Sequence, residues 1–127
     1  MGQQQFLLIA LTVVVVALMV AVSIAMFMDQ AAASNRDAIS NDLVNYASKA
    51  QEYIRRPAAL GGGGGSFIGF DLPGTTKNAD GVFDISSLSP MSLDIEGVGI
   101  ELGYDAMNPV KVVIKVTADS VKVVEIN

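Results

Sequence analysis

From Phe6 to Phe27 the chain reads FLLIALTVVVVALMVAVSIAMF, twenty-two residues without a charge, a glycine or a proline. A helix of that length rises about 33 Å, against a bilayer hydrocarbon core of about 30 Å. Thr12 and Ser23 are the two polar side chains within it, and each can bond back to a carbonyl of the preceding turn. The β-branched run Val13–Val16 is a mediocre helix former in water. In lipid, every backbone polar group must be satisfied inside the segment, and a helix does that. A secretory signal would place basic residues ahead of a shorter apolar core. Residues 1–5 are MGQQQ instead, Ala31-Ala32-Ala33 is a poor cleavage site, and Phe6 stands where N-myristoylation wants Ser or Thr. The expectation is a retained, membrane-length helix over residues 6–28.

Asp29 ends the apolar run, but nothing there ends the helix. Between Gln3 and Arg56 there is neither Gly nor Pro, the two strongest helix breakers. Over residues 29–56 an apolar and aromatic stripe falls at Ile39, Leu43, Tyr46, Ala50 and Tyr53, spaced 4, 3, 4, 3. That is one face of a helix, with Asp42, Asn45, Lys49 and Glu52 turned aside. Arg55 and Arg56 favour the negative end of the helix dipole, and Pro57 disfavours helix at the residue before it. One helix over residues 3–56 is thus expected, apolar in its first half and amphipathic in its second. Its Ile39–Tyr53 stripe is available to pack on a sheet.

Five glycines, Gly61–Gly65, follow, and residues 57–66 read as a Gly-rich linker. The run has no strand before it and no Lys or helix start after it, so it is not a phosphate cradle. Pro73-Gly74 and Asn78-Ala79-Asp80-Gly81 are turn chemistry. Val82–Ser86 is a short strand candidate. In Ser92–Tyr104, Leu93 and Ile95 share one face whereas Val98, Ile100 and Leu102 share the other, which places a β-bulge at Gly97. After an Asp105–Pro109 turn, Val110, Val112, Ile114 and Val116 alternate with polar residues in a strand buried on one side. Asp119-Ser120 then turns the chain into Val121–Ile126. The fold class expected is α+β: the long helix packed on a small antiparallel sheet of three to four strands, with residues 67–127 as the β domain.

The 127 residues include no His and no Cys, which removes disulfides, thiolate chemistry, the usual zinc ligands and the commonest general base. The net charge of −5 falls entirely after residue 60, where nine acids meet four bases. Phosphate contacts need a basic face, so no nucleic acid partner is expected. Asn78, Asp80 and Asp84 offer oxygen ligands, but their spacing matches no EF-hand loop, and a solvated turn is the expectation. Asp94, Glu96 and Glu101 read as the outward side of a strand rather than as catalytic carboxylates. Phe6, Phe27, Tyr46 and Tyr53 are too widely spaced along one helix for electron hopping and read as packing residues. The chain is expected to have no enzymatic activity, no metal and no cofactor.

With these parts in place, a long N-terminal helix over Gln3–Arg56 and a small antiparallel sheet over Ser66–Asn127, the chain resembles a type IV pilin or pilin-like filament subunit. The likeness is architectural and spans nearly the whole chain. Pilin precursors usually carry a basic leader ending in Gly, then Phe or Met, and Glu at the fifth mature position. Here Gln3 follows Gly2, and the fifth residue is Leu7 counted from Gln3 or Gln5 counted from Met1. The pilin proline in the apolar segment and the cysteine pair are also missing.

The resemblance implies a structural subunit of an extracellular filament, inserted in the cytoplasmic membrane before assembly. Its partners would be further copies of itself and, by analogy, an assembly machinery of the type IV pilus kind. In such a polymer the apolar helices bundle through Phe6, Leu7, Ala10, Val13, Val14, Ala17, Leu18, Ala21, Ile24, Ala25 and Phe27. The small residues Ala10, Ala17, Ala21 and Ala25 let neighbouring helices approach closely. The alternative is a single-pass membrane-anchored protein, or an accessory minor pilin, with a small extracytoplasmic β domain.

Overall fold

The computed structural model describes residues 2–74 and 76–127. The fold is α+β: helix α1, Gly2–Arg55, packs on a sheet of strands β1 (Gly81–Leu88), β2 (Ser92–Leu102), β3 (Pro109–Thr117) and β4 (Val121–Ile126). Among the described residues these four strands form one antiparallel meander in the order β1-β2-β3-β4. The chain divides into two units, the first ending at Ala31 and the second running from Ala32 to Asn127.

The second unit holds the core. Ile39, Leu43, Ala47, Ala50 and Ile54 of α1 are buried against Phe83, Leu93, Ile95, Val112, Ile114 and Val116 of the sheet. The buried line therefore runs through Ala47 and Ile54 where the apolar pattern pointed to Tyr46 and Tyr53. The two tyrosines flank it, half-buried, and each tilts onto a phenylalanine: Tyr46 on Phe83 at 5.2 Å and Tyr53 on Phe70 at 5.4 Å between ring centroids. Their polar tips explain the shift, since a phenol at the centre of the seam would bury a hydroxyl (Tyr53 instead donates its hydroxyl to the Ile68 carbonyl at 3.1 Å). Phe67, Phe70 and Leu72 close the core from the segment between helix and sheet.

No bulge stands at Gly97. β2 stays in register with β1 through Phe83↔Gly97 and with β3 through Gly97↔Val112, and its register with β3 shifts only between Val98 and Leu102. Leu93, Ile95 and Gly97 are buried in plain alternation, whereas Val98 is half-buried and Ile100 exposed on the opposite face. Gly97 faces the helix: a Cβ there would stand 2.6 Å from Cγ2 of Ile39 and 3.1 Å from the Phe83 ring. A Cβ on Gly81 would meet Cδ1 of Ile39 at 2.9 Å, and one on Gly99 would meet Oδ1 of Asn35 at 2.0 Å. Three glycines thus make a floor on which the start of this unit's helix lies close to the sheet.

The glycine run after Arg56 is a hydrogen-bonded turn. The N–H groups of Gly63, Gly64 and Gly65 donate to the carbonyls of Tyr53, Arg56 and Ile54 at 2.8, 3.1 and 2.9 Å. The carbonyls of Ile54 and Arg56 are among those a helix end leaves open, and the Tyr53 carbonyl also takes the Arg56 N–H at 3.3 Å. Gly64 and Gly65 have positive φ, 60° and 95°, a conformation glycine adopts at little cost.

Candidate functional site

The first unit offers the most distinctive surface of the molecule. Among the described residues α1 is the one helix long and apolar enough to cross a membrane, and none of its apolar window is buried within the chain. Phe6, Leu7, Val13, Val14, Leu18, Ile24 and Phe27 are each more than half exposed, and Ala10, Ala17, Ala21 and Ala25 are exposed as well. The residues expected to pack copies together therefore all stand outward, with the alanines at spacings that repeat on one side of a helix. Thr12 and Ser23 donate their hydroxyls to the carbonyls of Leu8 and Met19, both at 2.8 Å. The segment consequently presents no unpaired side-chain donor to its surroundings.

The second unit spends its polar side chains on its own construction. Asn35 is buried and bridges helix to sheet: Nδ2 donates to the Asp80 carbonyl at 2.8 Å, and Oδ1 accepts from the N–H of Ile100 at 3.1 Å. Arg36, also buried, donates Nε to the Asn127 carbonyl at 3.2 Å and lies 3.8 Å from the Tyr104 ring centroid. Asn78 accepts from the N–H groups of Asp80 and Gly81 and donates to Asp42, and Asp84 accepts from the N–H of Ile85. The oxygen ligands considered for a cation are in this way turn and edge fixtures. Among the described residues no group of three His, Cys, Asp or Glu side chains gathers for a metal.

The acids of β2 do not converge either. Glu96 pairs with Lys111 at 3.4 Å on the outer side of the sheet, and Lys111 also reaches Glu125 at 3.7 Å. Asp94 sits opposite Lys115. Glu101 lies within the register shift, its N–H directed at Asn35. In the β2–β3 turn, Asp105 accepts from the N–H groups of Asn108 and Met107 and from the Asn108 amide. Those bonds hold its carboxyl well below the usual carboxylate range.

Sequence reasoning missed Asn35, Arg36 and the three floor glycines. A polar pair on the apolar side of a helix is the signal that could have found the first two, because a buried amide or guanidinium needs a partner of fixed position. Compared with protein-family models, curated proteins and solved structures, the chain matches none of them.

Proposed function

We propose that the protein is a structural subunit, held in a membrane by its leading segment and assembling with further copies into a helical filament. The observation that carries the reading is the wholly exposed apolar run over residues 6–27 on a helix that continues unbroken to Arg55. Sixteen large apolar side chains lie between Phe6 and Phe27. At about 1.5–3 kcal/mol for each one fully buried, exposing them to water costs on the order of tens of kcal/mol. Lipid removes that cost for a single copy, and bundling with other copies removes it outside lipid. A contact of that kind need not close on itself, so its natural product is an open helical polymer. A plain anchor has no use for a helix that runs on into the β domain; a subunit joining a core to a sheath does. The acidic second unit would form the outer surface, its net negative charge discouraging lateral clumping. By analogy with pilins the sheet faces the exterior, and a dedicated machinery drives assembly.

Negative-stain microscopy of sheared extracellular material, with mass identification of the subunit, tests the reading. Filaments containing this chain are expected, and Val16→Asp or Ala21→Lys should abolish them, since a charge in the bundle would be buried without a partner. The second unit should keep its circular dichroism in both variants. Normal filaments from either variant would refute the helix core. Wild-type protein found solely as dispersed membrane copies would favour the single-pass anchor, a reading that the membrane-length helix equally supports.

A further inference from the structure

The two edges of the sheet differ. The outer edge of β1 is covered: Lys77 bridges to Val82, the Phe83 N–H donates to the Thr76 carbonyl at 2.8 Å, and the Ile85 N–H donates to Oδ1 of Asp84 at 2.8 Å. Among the described residues no strand lies outside β4, and β4 contains no proline. Such an edge offers N–H and C=O groups to another strand. Lys111 and Asn127 exchange backbone bonds at one end of the β3–β4 ladder, and the Thr117 N–H donates to the Ser120 carbonyl at the other. By alternation, Val121, Val123 and Ile126 turn their backbone groups away from β3. Their side chains stand opposite the buried Val116, Ile114 and Val112, yet are 40, 62 and 50% exposed, and no residue of β4 joins the core cluster.

The register shift in β4 makes the strand complementary to itself. Lys122, Val123 and Glu125 stand opposite Lys115, Ile114 and Val113, three consecutive residues of β3, and Val124 is the extra residue between them. Lys122 and Glu125 therefore flank Val123 one place to each side on one face of the sheet, and Val121 and Ile126 follow on the other. Without the extra residue the two charges would fall on opposite faces. Lys122 faces Lys115 in its own sheet, a like-charge pair, and has no ion pair among the described residues. Glu125 meets Lys111 through Oε2 at 3.7 Å. We infer that β4 pairs antiparallel with β4 of a second copy about a two-fold axis through Val123. That axis sets Lys122 of each copy opposite Glu125 of the other and continues the row Val121, Val123 and Ile126 across the joint. The pairing goes beyond the proposed function, since it joins second units and needs neither lipid nor polymer. Six residues of β4 fall short of the ~20–30 a side of a stable interface, so the contact is transient and second units in dilute solution stay monomeric.

The chain contains no cysteine, so introduced thiols can pair only with each other, and oxidation accumulates a transient contact as a disulfide. Full-length Lys122→Cys and Glu125→Cys proteins in detergent are oxidised separately and as a mixture. Opposed residues of this kind have Cα atoms about 4.5 Å apart, within disulfide reach. Lys122 and its own counterpart, two places apart along the strands, stand about 8 Å apart, beyond the limit of about 7 Å. The result expected is a mixed 122–125 disulfide, identified by mass spectrometry, in roughly tenfold excess over either like disulfide. The mixed dimer keeps its second Lys122–Glu125 pair. Glu125→Lys added to the Lys122→Cys chain sets Lys against Lys there and should cut the yield several-fold. Mixed and like disulfides in equal amounts mean random collision, and an excess of a like disulfide means a different register; either overturns the inference. A mixed yield indifferent to Glu125→Lys overturns it too. Gathering of copies by the leading segment raises mixed and like disulfides together, so their ratio reports on β4, and a failure here leaves the proposed function standing.

Discussion

Asn35 shows how much of this fold depends on single polar groups placed where only apolar ones are expected. Its amide serves three backbone groups from two segments, the Asp80 carbonyl and the N–H groups of Ile100 and Glu101. It can do so because Gly99 leaves room for its oxygen. Asn35→Ala orphans those groups in a partly buried seam, and leaving such groups unmet costs about 1–3 kcal/mol. Denaturant unfolding in detergent should show that loss, with faster amide exchange at Ile100 and Glu101 while the core strands exchange as before. Asp105 makes a different prediction. Its carboxyl is depressed below its unfolded value, so between the two the unfolded chain binds more protons and stability rises with pH. The contribution is complete above about pH 4, the ordinary aspartate range, and is lost as the solution is acidified through the lower folded value. Asp105→Asn removes the titration, so acid unfolding followed by circular dichroism should depend less on pH below about 4 than in the parent chain.

At the scale of elements, the helix, the antiparallel sheet and the strand order follow from apolar periodicity, and three of the five stripe residues, Ile39, Leu43 and Ala50, are fully buried. Periodicity was mute on Ala47, because a methyl group among many alanines carries no pattern, and it could not tell a tyrosine beside the core from one within it. It also misled at Gly97. A switch of apolar residues from one parity to the other reads as a bulge at the glycine when every apolar residue is assumed to seek the core, yet β2 keeps alternating through Val98, shifts register with β3 only beyond it, and leaves Ile100 outside. Phe67, Phe70 and Leu72 were illegible for a further reason: they sit in a Gly- and Pro-rich segment with no repeat, and their burial is decided by the helix above them. The glycine run was visible as a linker, but the hydrogen bonds that make it a turn were not. Gly63 is its tightest point, since a Cβ there would stand 1.9 Å from the Ser66 carbonyl oxygen and 2.8 Å from the Tyr53 ring. Gly63→Ala must displace backbone and so should cost about 1–3 kcal/mol, as overpacking does. Gly61→Ala meets no atom within 4 Å and strains only its φ of 84°, costing about 1 kcal/mol. Thermal melts of the two variants should rank in that order, with early exchange of the Gly65 amide in Gly63→Ala.

The molecule as a whole puts its helix to two uses, and the division between them is not the boundary between helix and sheet. The second unit begins at Ala32, within α1, and its core takes five helix residues. A fragment starting at residue 58 would therefore expose the inner faces of Phe83, Leu93, Ile95, Val112, Ile114 and Val116 together, six side chains that the structure buries. At about 1.5–3 kcal/mol apiece for the larger ones, that loss is as large as the whole stability of an ordinary small domain, about 5–15 kcal/mol. A fragment of residues 32–127 retains the whole core cluster and sheds the exposed apolar run over residues 6–27. Expressed in parallel, 32–127 should be a monomer with a cooperative melt and mixed helix–strand circular dichroism, while 58–127 should melt without a transition or aggregate. Sedimentation and thermal scans on both fragments check this. A cooperative melt from 58–127 would mean that the sheet stands without its helix, and polymer from 32–127 would mean that the leading segment is not what joins the copies.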